Sequence, residues 1–405
     1  MESFTPTDYS VSMVGFRPTS NLHLGHYLSI IKPILENQFK TIIFSAELHT
    51  LTSSQHHPGR ALKDARETTI QCITTISRYV NLDPEHVVFI SQYEMKDKHY
   101  ELHNMIINAG TTPAILFRNP IYVSALKNEF IDYLNDKQTL NEEEINCIVD
   151  VFFSHSDILI GGLTPLGTNC IINQLEKCKI DKKTINEIIH HVTKISYGNL
   201  GLAHYPLLMA ADVILYEPDT LIVGDDQKPN VQIIHEIIDM LTHRWNIGIK
   251  RFRPVYSGDR PLCGFDGRKM SSSLNNYLLL DWFTTAKDLV YEYYNRFITY
   301  PRRRTEPGIF HECPLSTHWI AFGNKDQIEE IQSACETAKI GCLDCKRKIA
   351  EHMLVTLKPR FRAIPNVKSL IEEGSWWAKN RIKNSSIFSD WNYSETFDSL
   401  DILTY

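Results

Sequence analysis

The sequence predicts an α/β fold built on a parallel sheet and followed by a helical C-terminal region. Three short runs of β-branched and aromatic residues, "VSMVGF", "KTIIFSAEL" and "HVVFISQ", are separated near the N-terminus by segments of helical length and periodicity. Such alternation is typical of a parallel sheet whose strands are connected by helices. Beyond residue 282 there is little strand character, and apolar residues such as Ile349, Met353 and Leu357 recur at helical spacing.

The middle of the chain interrupts this alternation. Residues 127–195 are polar, show weak periodicity and contain the loop-like "GGLTPLG", which indicates an inserted segment. Strand character returns in "ADVILYEPDTLIVGDDQ", and a helix follows in "PNVQIIHEIIDML". We therefore predict an α/β domain over residues 1–285, with a helical insertion at about 127–195, and a helical domain over residues 286–405.

Composition limits the classes of partner. The 405 residues, 43% hydrophobic, suffice for two domains of unequal size. Because the net charge is −6, contact with nucleic acid requires local basic patches. Residues 301–304, 345–348 and 358–362 form such patches, although a solvated helix face explains each equally well. The N-terminus lacks an export signal and no apolar run is long enough to cross a bilayer, so we expect a cytoplasmic protein without membrane contact.

Nine cysteines without an export signal argue against a disulfide framework, because cytosolic thiols are kept reduced. Five of them are scattered along the chain: Cys72, Cys147, Cys170, Cys178 and Cys263. The other four are separated by 21, 6 and 2 residues: Cys313, Cys335, Cys342 and Cys345. Four thiolates satisfy a Zn²⁺ ion or a [4Fe–4S] cluster, and the spacing does not choose between these and unused thiols at a helix start.

Two segments have the chemistry of a phosphate site. "NLHLGHYL" places His23 and His26 around a glycine directly after the first predicted strand, where helix N-termini present N–H groups to anions. The segment "GRKMSSSLNN" at 267–276, here named the KMSSS loop, is rich in hydroxyl and cationic groups that suit a polyphosphate. Taken alone, the histidine segment is better explained as an ordinary helix start, and the KMSSS loop alone is only weak evidence, because hydroxyl-rich loops are common.

Taken in order, the two segments resemble the signature motifs of class I aminoacyl-tRNA synthetases. Within that class the chain is most similar to bacterial-type tryptophanyl-tRNA synthetases, with the sister tyrosyl family as the competing interpretation. The matching stretches come in family order and span most of the chain: "GFRPTSNLHLGHYL", "AELHTLT", "YPLLMAAD", "VGDDQK" and "DGRKMSSSLNN". The resemblance implies a Rossmann-type catalytic domain, an anticodon-binding helical domain, and a homodimer that joins L-tryptophan to tRNA(Trp) with ATP and Mg²⁺.

The resemblance also implies roles for individual residues. Reaction at the phosphates is assigned to His23, His26, Lys269, Ser271 and Ser273. ATP binding is assigned to Arg17, Pro18, Thr19, Gly25, His26, Gly224, Asp225, Asp226, Lys269 and Met270. Tryptophan binding is assigned to Gly15, His49, Tyr205, Met209, Asp212 and Gln227. An indole N–H can only donate a hydrogen bond, so a buried acceptor such as Asp212 selects tryptophan over phenylalanine.

The C-terminal cysteines and basic residues also have counterparts. Some tryptophanyl-tRNA synthetases hold a [4Fe–4S] cluster near the anticodon-binding region with a similar cysteine pattern, so the resemblance favours the cluster over zinc and over free thiols. It further implies that nearby cations meet tRNA phosphates: Arg302, Arg303, Arg304, Arg347 and Lys348.

Three features depart from the family pattern. Ser272 replaces the second lysine of the usual KMSKS loop, Ser20 replaces a usual glycine, and the insertion is longer than its counterpart in a region that contributes to dimer contacts. Two other interpretations therefore stay open: a paralogue that activates tryptophan outside translation, and a catalytically silent RNA-binding descendant.

Overall fold

The computed structural model describes most of the chain. Described residues are 10–37, 39–52, 57–109, 111, 118–137, 139–153, 165–194, 200–257, 262–280, 286–358, 366–383, 385 and 387. For 165–168, 192–194, 200, 273 and 286–288 this description covers the backbone only. Most of the third basic patch and the predicted boundary at 285 lie outside these ranges, as does much of "GGLTPLG".

Five parallel strands form one sheet in the order β3-β2-β1-β4-β5. The strands are β1 (Val11–Phe16), β2 (Lys40–Ser45), β3 (Val87–Ser91), β4 (Thr220–Gly224) and β5 (Arg253–Ser257). Strands β2 and β3 lie on one side of β1, and β4 and β5 lie on the other. The strand order therefore reverses between β1 and β4, and open parallel sheets bind ligands beyond the carboxyl ends of the strands at such a point.

Helices connect the strands and complete the C-terminal region. Their bounds are α1 (Leu24–His26), α2 (Lys32–Glu36), α3 (Pro58–Ser77), α4 (Lys96–Asn108), α5 (Pro120–Asn135), α6 (Glu142–Phe153), α7 (Pro165–Lys177), α8 (Lys182–Lys194), α9 (Leu200–Ala203), α10 (Tyr205–Tyr216), α11 (Lys228–Trp245), α12 (Ala286–Arg296), α13 (Ser316–Phe322), α14 (Lys325–Glu336), α15 (Cys342–Thr356) and α16 (Val367–Lys383). A π-helical turn, Tyr27–Ile31, joins α1 to α2. No helix within the described ranges is both long and apolar enough to cross a membrane.

Both faces of the sheet are buried. Successive side chains of β1 point in opposite directions, so Met13 belongs to the core beneath α4, α10 and α11, and Val14 belongs to the core on the other face. That second core continues into Leu289 of α12 and Met353 of α15. The α/β part and the C-terminal helices thus share hydrophobic packing, and the predicted division into two domains stays a prediction. The fold class predicted from the sequence is confirmed, including the inserted helical segment.

The insertion has a hydrophobic core of its own. Helices α5 to α8 bury residues such as Phe130, Ile148 and Leu175 against one another, apart from the two cores of the sheet. The expectation of weak periodicity is wrong here, because each helix carries an apolar stripe beneath a broad polar face. The expectation of unpaired cysteines is also wrong in this region. Cys147 of α6 and Cys178, just beyond α7, are joined by a disulfide, with Cα atoms 6.3 Å apart.

Helix α16 folds back over the edge strand β3. The two backbones approach so closely that a Cβ atom built on Gly374 would lie 1.6 Å from the carbonyl oxygen of Phe89. Arg381, at the end of the same helix, donates hydrogen bonds to the backbone carbonyls of Tyr216 and Glu217. The helix therefore covers a strand edge that would otherwise present unpaired backbone groups.

We predict that Gly374→Ala destabilises the protein by about 3 kcal/mol, because the added methyl group forces α16 away from β3. Urea unfolding monitored by circular dichroism measures the difference. Gly248→Ala is the matched control, since a Cβ there meets nothing within 4 Å. Equal unfolding midpoints for the two variants would contradict the close approach of α16.

Candidate active site

A cavity of about 1110 Å³ opens at the carboxyl ends of β1 and β4, where the strand order reverses. Of the residues predicted from the sequence, it is lined by Gly15, Arg17, Thr19, His23, Gly25, His26, His49, Tyr205, Met209, Asp212, Gly224, Asp225, Asp226, Gln227, Lys269, Met270 and Ser271. Pro18 is buried beside the cavity without lining it, and the side chain of Ser273 is outside the described residues. A larger cavity, about 1360 Å³, runs along β4, β5 and α13 and contains none of the predicted site residues.

His23 and His26 organise the start of α1 through their Nδ1 atoms. The Nδ1 atom of His23 accepts a hydrogen bond from the Gly25 N–H at 3.1 Å, and the Nδ1 atom of His26 accepts one from the His23 N–H at 3.1 Å. Because an accepting nitrogen carries no proton, the proton of each neutral ring is on Nε2. Burial lowers the pKa of His26 to about 4, and burial together with His26 lowers the pKa of His23 to about 2. Both rings are therefore neutral donors at physiological pH.

Backbone pairing holds the two motifs together. The Leu24 N–H donates to the Leu278 carbonyl at 2.8 Å, and the Leu280 N–H donates to the Leu22 carbonyl at 3.0 Å. His23 thereby faces Leu279 in an antiparallel bridge. The histidine motif and the exit of the KMSSS loop are thus fixed relative to each other.

Asn276 organises the inside of the KMSSS loop. Its side chain, only 3% exposed, accepts from the Ser271 N–H at 2.8 Å and donates to Asp266 and to the Lys269 carbonyl. The Lys269 ammonium lies 3.9 Å from an Asp226 carboxylate oxygen, with both side chains more than half exposed. An exposed pair of this kind contributes little to stability, so Lys269 is available for an anionic ligand.

Asp212 is the centre of a buried polar network. One of its carboxylate oxygens lies 2.8 Å from His49 Nε2, and the other accepts from Gln92 Nε2 at 2.6 Å. His99 Nδ1 lies 2.8 Å from that second oxygen. Burial disfavours the charged form, but the adjacent His49 and His99 still hold the pKa of Asp212 below its usual value. The ionised carboxylate can accept about four hydrogen bonds, which leaves capacity for one more donor from the cavity.

Gln92 and His99 support the site and were not predicted from the sequence. Gln92 also accepts from the Leu48 N–H at 2.8 Å, while His99 Nε2 meets the Tyr216 hydroxyl at 2.9 Å. The position of Gln92, directly after β3 at the carboxyl edge of the sheet, is a signal that sequence reasoning had available. His99 gave no such signal, because its role depends on the packing of α4 against α10.

Glu47 is a second buried carboxyl group close to this network. It is 1% exposed and accepts hydrogen bonds from the hydroxyl groups of Ser91 and Thr69. Burial raises its pKa to about 7, since these neutral donors do not offset the loss of water around a carboxylate. The fold therefore shifts the pKa values of these two buried carboxyl groups in opposite directions, lowering that of Asp212 and raising that of Glu47.

The four C-terminal cysteines come together in space. Cys345 is close enough to Cys313, Cys335 and Cys342 for their charges to interact. Among the described residues, however, only Asp83, Glu85 and His86 bring three ligand atoms within 4.8 Å of one another. Within the described residues, no three of the four sulfur atoms therefore lie within 4.8 Å of one another, close enough to share a single ion.

The neighbouring basic residues already have partners in the fold. Arg302 and Arg304 donate to the backbone carbonyls of Ile340 and Ala338, which are close to the cysteines. The other three predicted cations form exposed ion pairs: Arg303 with Glu306, Arg347 with Asp344, and Lys348 with Glu330. A phosphate would have to compete with these carboxylates.

Comparison with known proteins shows which protein family this chain belongs to. A family model described as tRNA synthetases class I (W and Y) matches residues 7–116 and 160–358, more than half of the chain. The chain belongs to this family. The unmatched internal residues, 117–159, include α5 and α6 of the insertion.

Individual relatives extend the comparison. The tryptophan–tRNA ligase of Aquifex aeolicus is 26% identical over 361 residues, which cover 85% of this chain and 88% of that protein. The tryptophan–tRNA ligase of Thermotoga maritima is 25% identical over 374 residues, covering 89% and 92%. The crystal structure of Campylobacter jejuni tryptophanyl-tRNA synthetase with ADP and tryptophan superimposes with a TM-score of 0.58 at 19% identity, covering 96% of this chain and 99% of that one. At this identity the structural likeness shows the shared fold.

We predict that the Glu47→Gln variant gains stability relative to the wild type as pH rises. The folded wild type keeps the Glu47 proton up to about pH 7, whereas the unfolded chain releases it near 4.5, so wild-type stability falls over that interval. Glutamine does not titrate and resembles the protonated acid. Thermal midpoints from pH 4.5 to pH 8 measure the difference. The control is Glu372→Gln on the exposed face of α16, and a pH-independent difference at Glu47 would refute the raised pKa.

Proposed function

We propose that this protein is a tryptophan–tRNA ligase, which activates L-tryptophan with ATP and transfers it to tRNA(Trp). The observation that carries the proposal is the convergence of the histidine motif, the KMSSS loop and buried Asp212 on one cavity. Family membership supports an aminoacyl-tRNA synthetase, and the matched relatives that are named for tryptophan support this amino acid. ATP and Mg²⁺ enter together as a substrate complex.

The amino acid is proposed to bind on the side of Asp212. The remaining acceptor capacity of this carboxylate suits an indole N–H, which donates and cannot accept. His49 and Met209 are proposed to line the indole ring. Tyr205, whose ring meets that of His49 edge to face at 4.5 Å, and Gln227 are proposed to hold the ammonium group. The Gln227 amide is held between Asp226 and Asn230. Gly15 leaves room for the ligand beside β1.

The nucleotide is proposed to bind on the side of the histidines. Neutral His23 and His26 offer Nε2–H groups to phosphate oxygens, and Arg17 and Lys269 supply the positive charge. Gly25 presents its backbone without a side chain, while Ser271 and Ser273 offer hydroxyl groups from the KMSSS loop. Asp226 is proposed to reach the ribose, with Gly224, Asp225 and Met270 as further nucleotide contacts. The turn through Arg17, Pro18 and Thr19 completes the ATP contacts.

The proposed chemistry proceeds in two displacements. A carboxylate oxygen of tryptophan attacks the α-phosphorus of ATP, forming the adenylate while the bond to pyrophosphate breaks. Because the attacking carboxylate is already ionised, no general base is required, and donors aimed at the phosphates stabilise the charge that develops. A hydroxyl group of the terminal adenosine of tRNA then attacks the adenylate carbonyl, and AMP leaves.

Tryptophan-dependent exchange of pyrophosphate into ATP tests this function directly. We expect exchange with tryptophan and none above background with tyrosine or phenylalanine. Aminoacylation of tRNA(Trp) then distinguishes a translation enzyme from a paralogue that activates tryptophan for another purpose. No exchange with any of the three amino acids, with or without tRNA, would favour the silent RNA-binding descendant.

We predict that Asp212→Asn raises the KM for tryptophan about 10-fold to 100-fold and changes the KM for ATP less than about twofold. The estimate corresponds to the loss of a hydrogen bond to a charged acceptor, about 1.5–3 kcal/mol. Initial rates of exchange at varied tryptophan and ATP measure the two constants. Asp219→Asn is the control, since that half-buried carboxylate pairs with Lys250 and with the Val11 N–H away from the cavity. An unchanged tryptophan KM in Asp212→Asn would remove Asp212 from the pocket.

The four cysteines are proposed to hold a [4Fe–4S] cluster, with Zn²⁺ as the alternative. The donor set fits such a group, and two of its sulfurs accept N–H bonds of the kind that stabilise metal thiolates: Trp319 Nε1–H to Cys345 at 3.3 Å, and the Tyr300 N–H to Cys313 at 3.4 Å. Burial raises the pKa of the Cys345 thiol to about 12, so binding would require loss of this proton.

We predict that protein purified without air is brown and contains about four irons per chain. Cys345→Ser should lose the iron and the visible absorption, whereas Cys170→Ser, at an exposed thiol in the insertion, should keep both. Elemental analysis and absorption spectra measure this independently of catalysis. Stoichiometric zinc without iron would indicate a Zn²⁺ site and not a cluster. Protein without metal would indicate that the four thiols are free.

The tRNA is proposed to contact the C-terminal basic residues, with an affinity that falls as salt rises. Arg303, Arg347 and Lys348 are the best placed of these, since Arg302 and Arg304 are engaged by backbone carbonyls. A homodimer and a cytoplasmic location remain predictions, and sedimentation of the purified protein tests the first.

A further inference from the structure

A hydrogen bond joins the KMSSS loop to the turn after β1. The hydroxyl oxygens of Ser20 and Ser272 lie 2.6 Å apart, although the residues are 252 positions apart in the chain. We propose that this pair is a latch that holds the KMSSS loop over the nucleotide side of the cavity and so positions Lys269. The inference rests on the proposed ATP-dependent activation and adds two positioning residues to it.

The two ends of the latch differ in how firmly they are held. Ser20 lies between β1 and α1, immediately after a turn in which the Thr19 N–H donates to the Arg17 carbonyl at 2.9 Å, and its own carbonyl accepts from the Cys72 thiol at 3.7 Å. Ser272 begins a short 3-10 turn, Ser272–Leu274, whose last side chain is 42% exposed. A bond between a fixed turn and the outer part of a loop restricts the loop more than the turn.

The stem of the loop is fixed separately. Backbone pairing with the histidine motif anchors residues 278–280, and the Met270 N–H donates to the Leu262 carbonyl at 2.8 Å. Asn276 joins the inside of the loop through the Ser271 N–H and the Lys269 carbonyl. The serine pair differs from these bonds because it attaches the turn that begins at Ser272 to the segment between β1 and α1, next to Lys269 and Ser271 on the side that faces the cavity.

The chemistry of the pair explains why both residues are serine. Either hydroxyl group can donate while the other accepts, so the contact needs no charge and no fixed polarity. Glycine at position 20 would remove one partner, and lysine at position 272 would replace the other with a long cation. These are the two single-residue positions at which the motifs depart from the family pattern.

A preorganised loop should bind ATP with a smaller entropic cost. One hydrogen bond contributes about 1 kcal/mol, which corresponds to about fivefold in an equilibrium constant. Ser20→Ala and Ser272→Ala should therefore each raise the KM for ATP about 3-fold to 10-fold and leave the KM for tryptophan unchanged. The double variant should be no worse than either single variant, because the bond is already lost.

The experiment is a double-mutant cycle in the tryptophan-dependent exchange assay, with ATP and tryptophan varied separately. Ser272→Thr keeps a hydroxyl group and should recover most of the loss seen in Ser272→Ala. Ser369→Ala is the matched control, since it removes a serine bond to Glu373 on α16 far from the cavity. Thermal midpoints verify that every variant is folded.

The outcomes separate the latch from the proposed function. Additive effects of the two alanine substitutions, or equal changes in the ATP and tryptophan requirements, would overturn the latch. If the wild type shows no exchange of pyrophosphate into ATP, the proposed function is overturned instead. In that case, amide hydrogen exchange of the protein without ligand tests the latch. Ser20→Ala should accelerate hydrogen exchange at the backbone amides of residues 270–276. An unchanged rate of hydrogen exchange at these amides would overturn the latch.

Discussion

The site depends on the backbone pairing of residues 22–24 with residues 278–280. These segments come from opposite ends of the α/β part, and the pairing places the histidine motif beside the KMSSS loop. The sheet supplies the frame, because the reversal of strand order between β1 and β4 leaves a crevice at their carboxyl ends. Because of this pairing, the KMSSS loop forms one wall of the crevice and the start of α1 forms another.

The electrostatics of the cavity follow from burial and from the type of donor at each group. His23 and His26 lose their charge on burial and become hydrogen-bond donors through Nε2. Asp212, surrounded by two histidines and an amide, stays ionised, whereas Glu47, surrounded by hydroxyl groups, holds its proton to about pH 7. Positive charge for a polyphosphate is therefore left to residues at the mouth of the cavity, such as Arg17 and Lys269.

The inserted helical segment contributes to the active-site cavity. It has its own core and a disulfide, but its first helix, α5, begins at Pro120 and not at the predicted residue 127, and Ile121 of this helix lines the cavity. Asn119 caps α5 and donates to the Leu202 carbonyl at 2.9 Å, which fixes the helix start beside α9. A segment that the family model does not match thus contributes a wall to the site.

The sequence by itself determined β1 to β4, the C-terminal helices and the residues of the two motifs, because apolar periodicity and short motifs are local properties. Its expectation of strand over residues 211–216 is wrong, because this buried apolar run forms the end of α10. It did not predict β5, an edge strand of partly buried and exposed residues that contains Pro254. It also missed the Cys147–Cys178 disulfide, the supporting contacts of Gln92 and His99 around Asp212, and the meeting of Ser20 with Ser272. Only the tertiary structure decided these features, because each joins segments that are distant in the chain, and no local pattern records which distant side chain will be the partner.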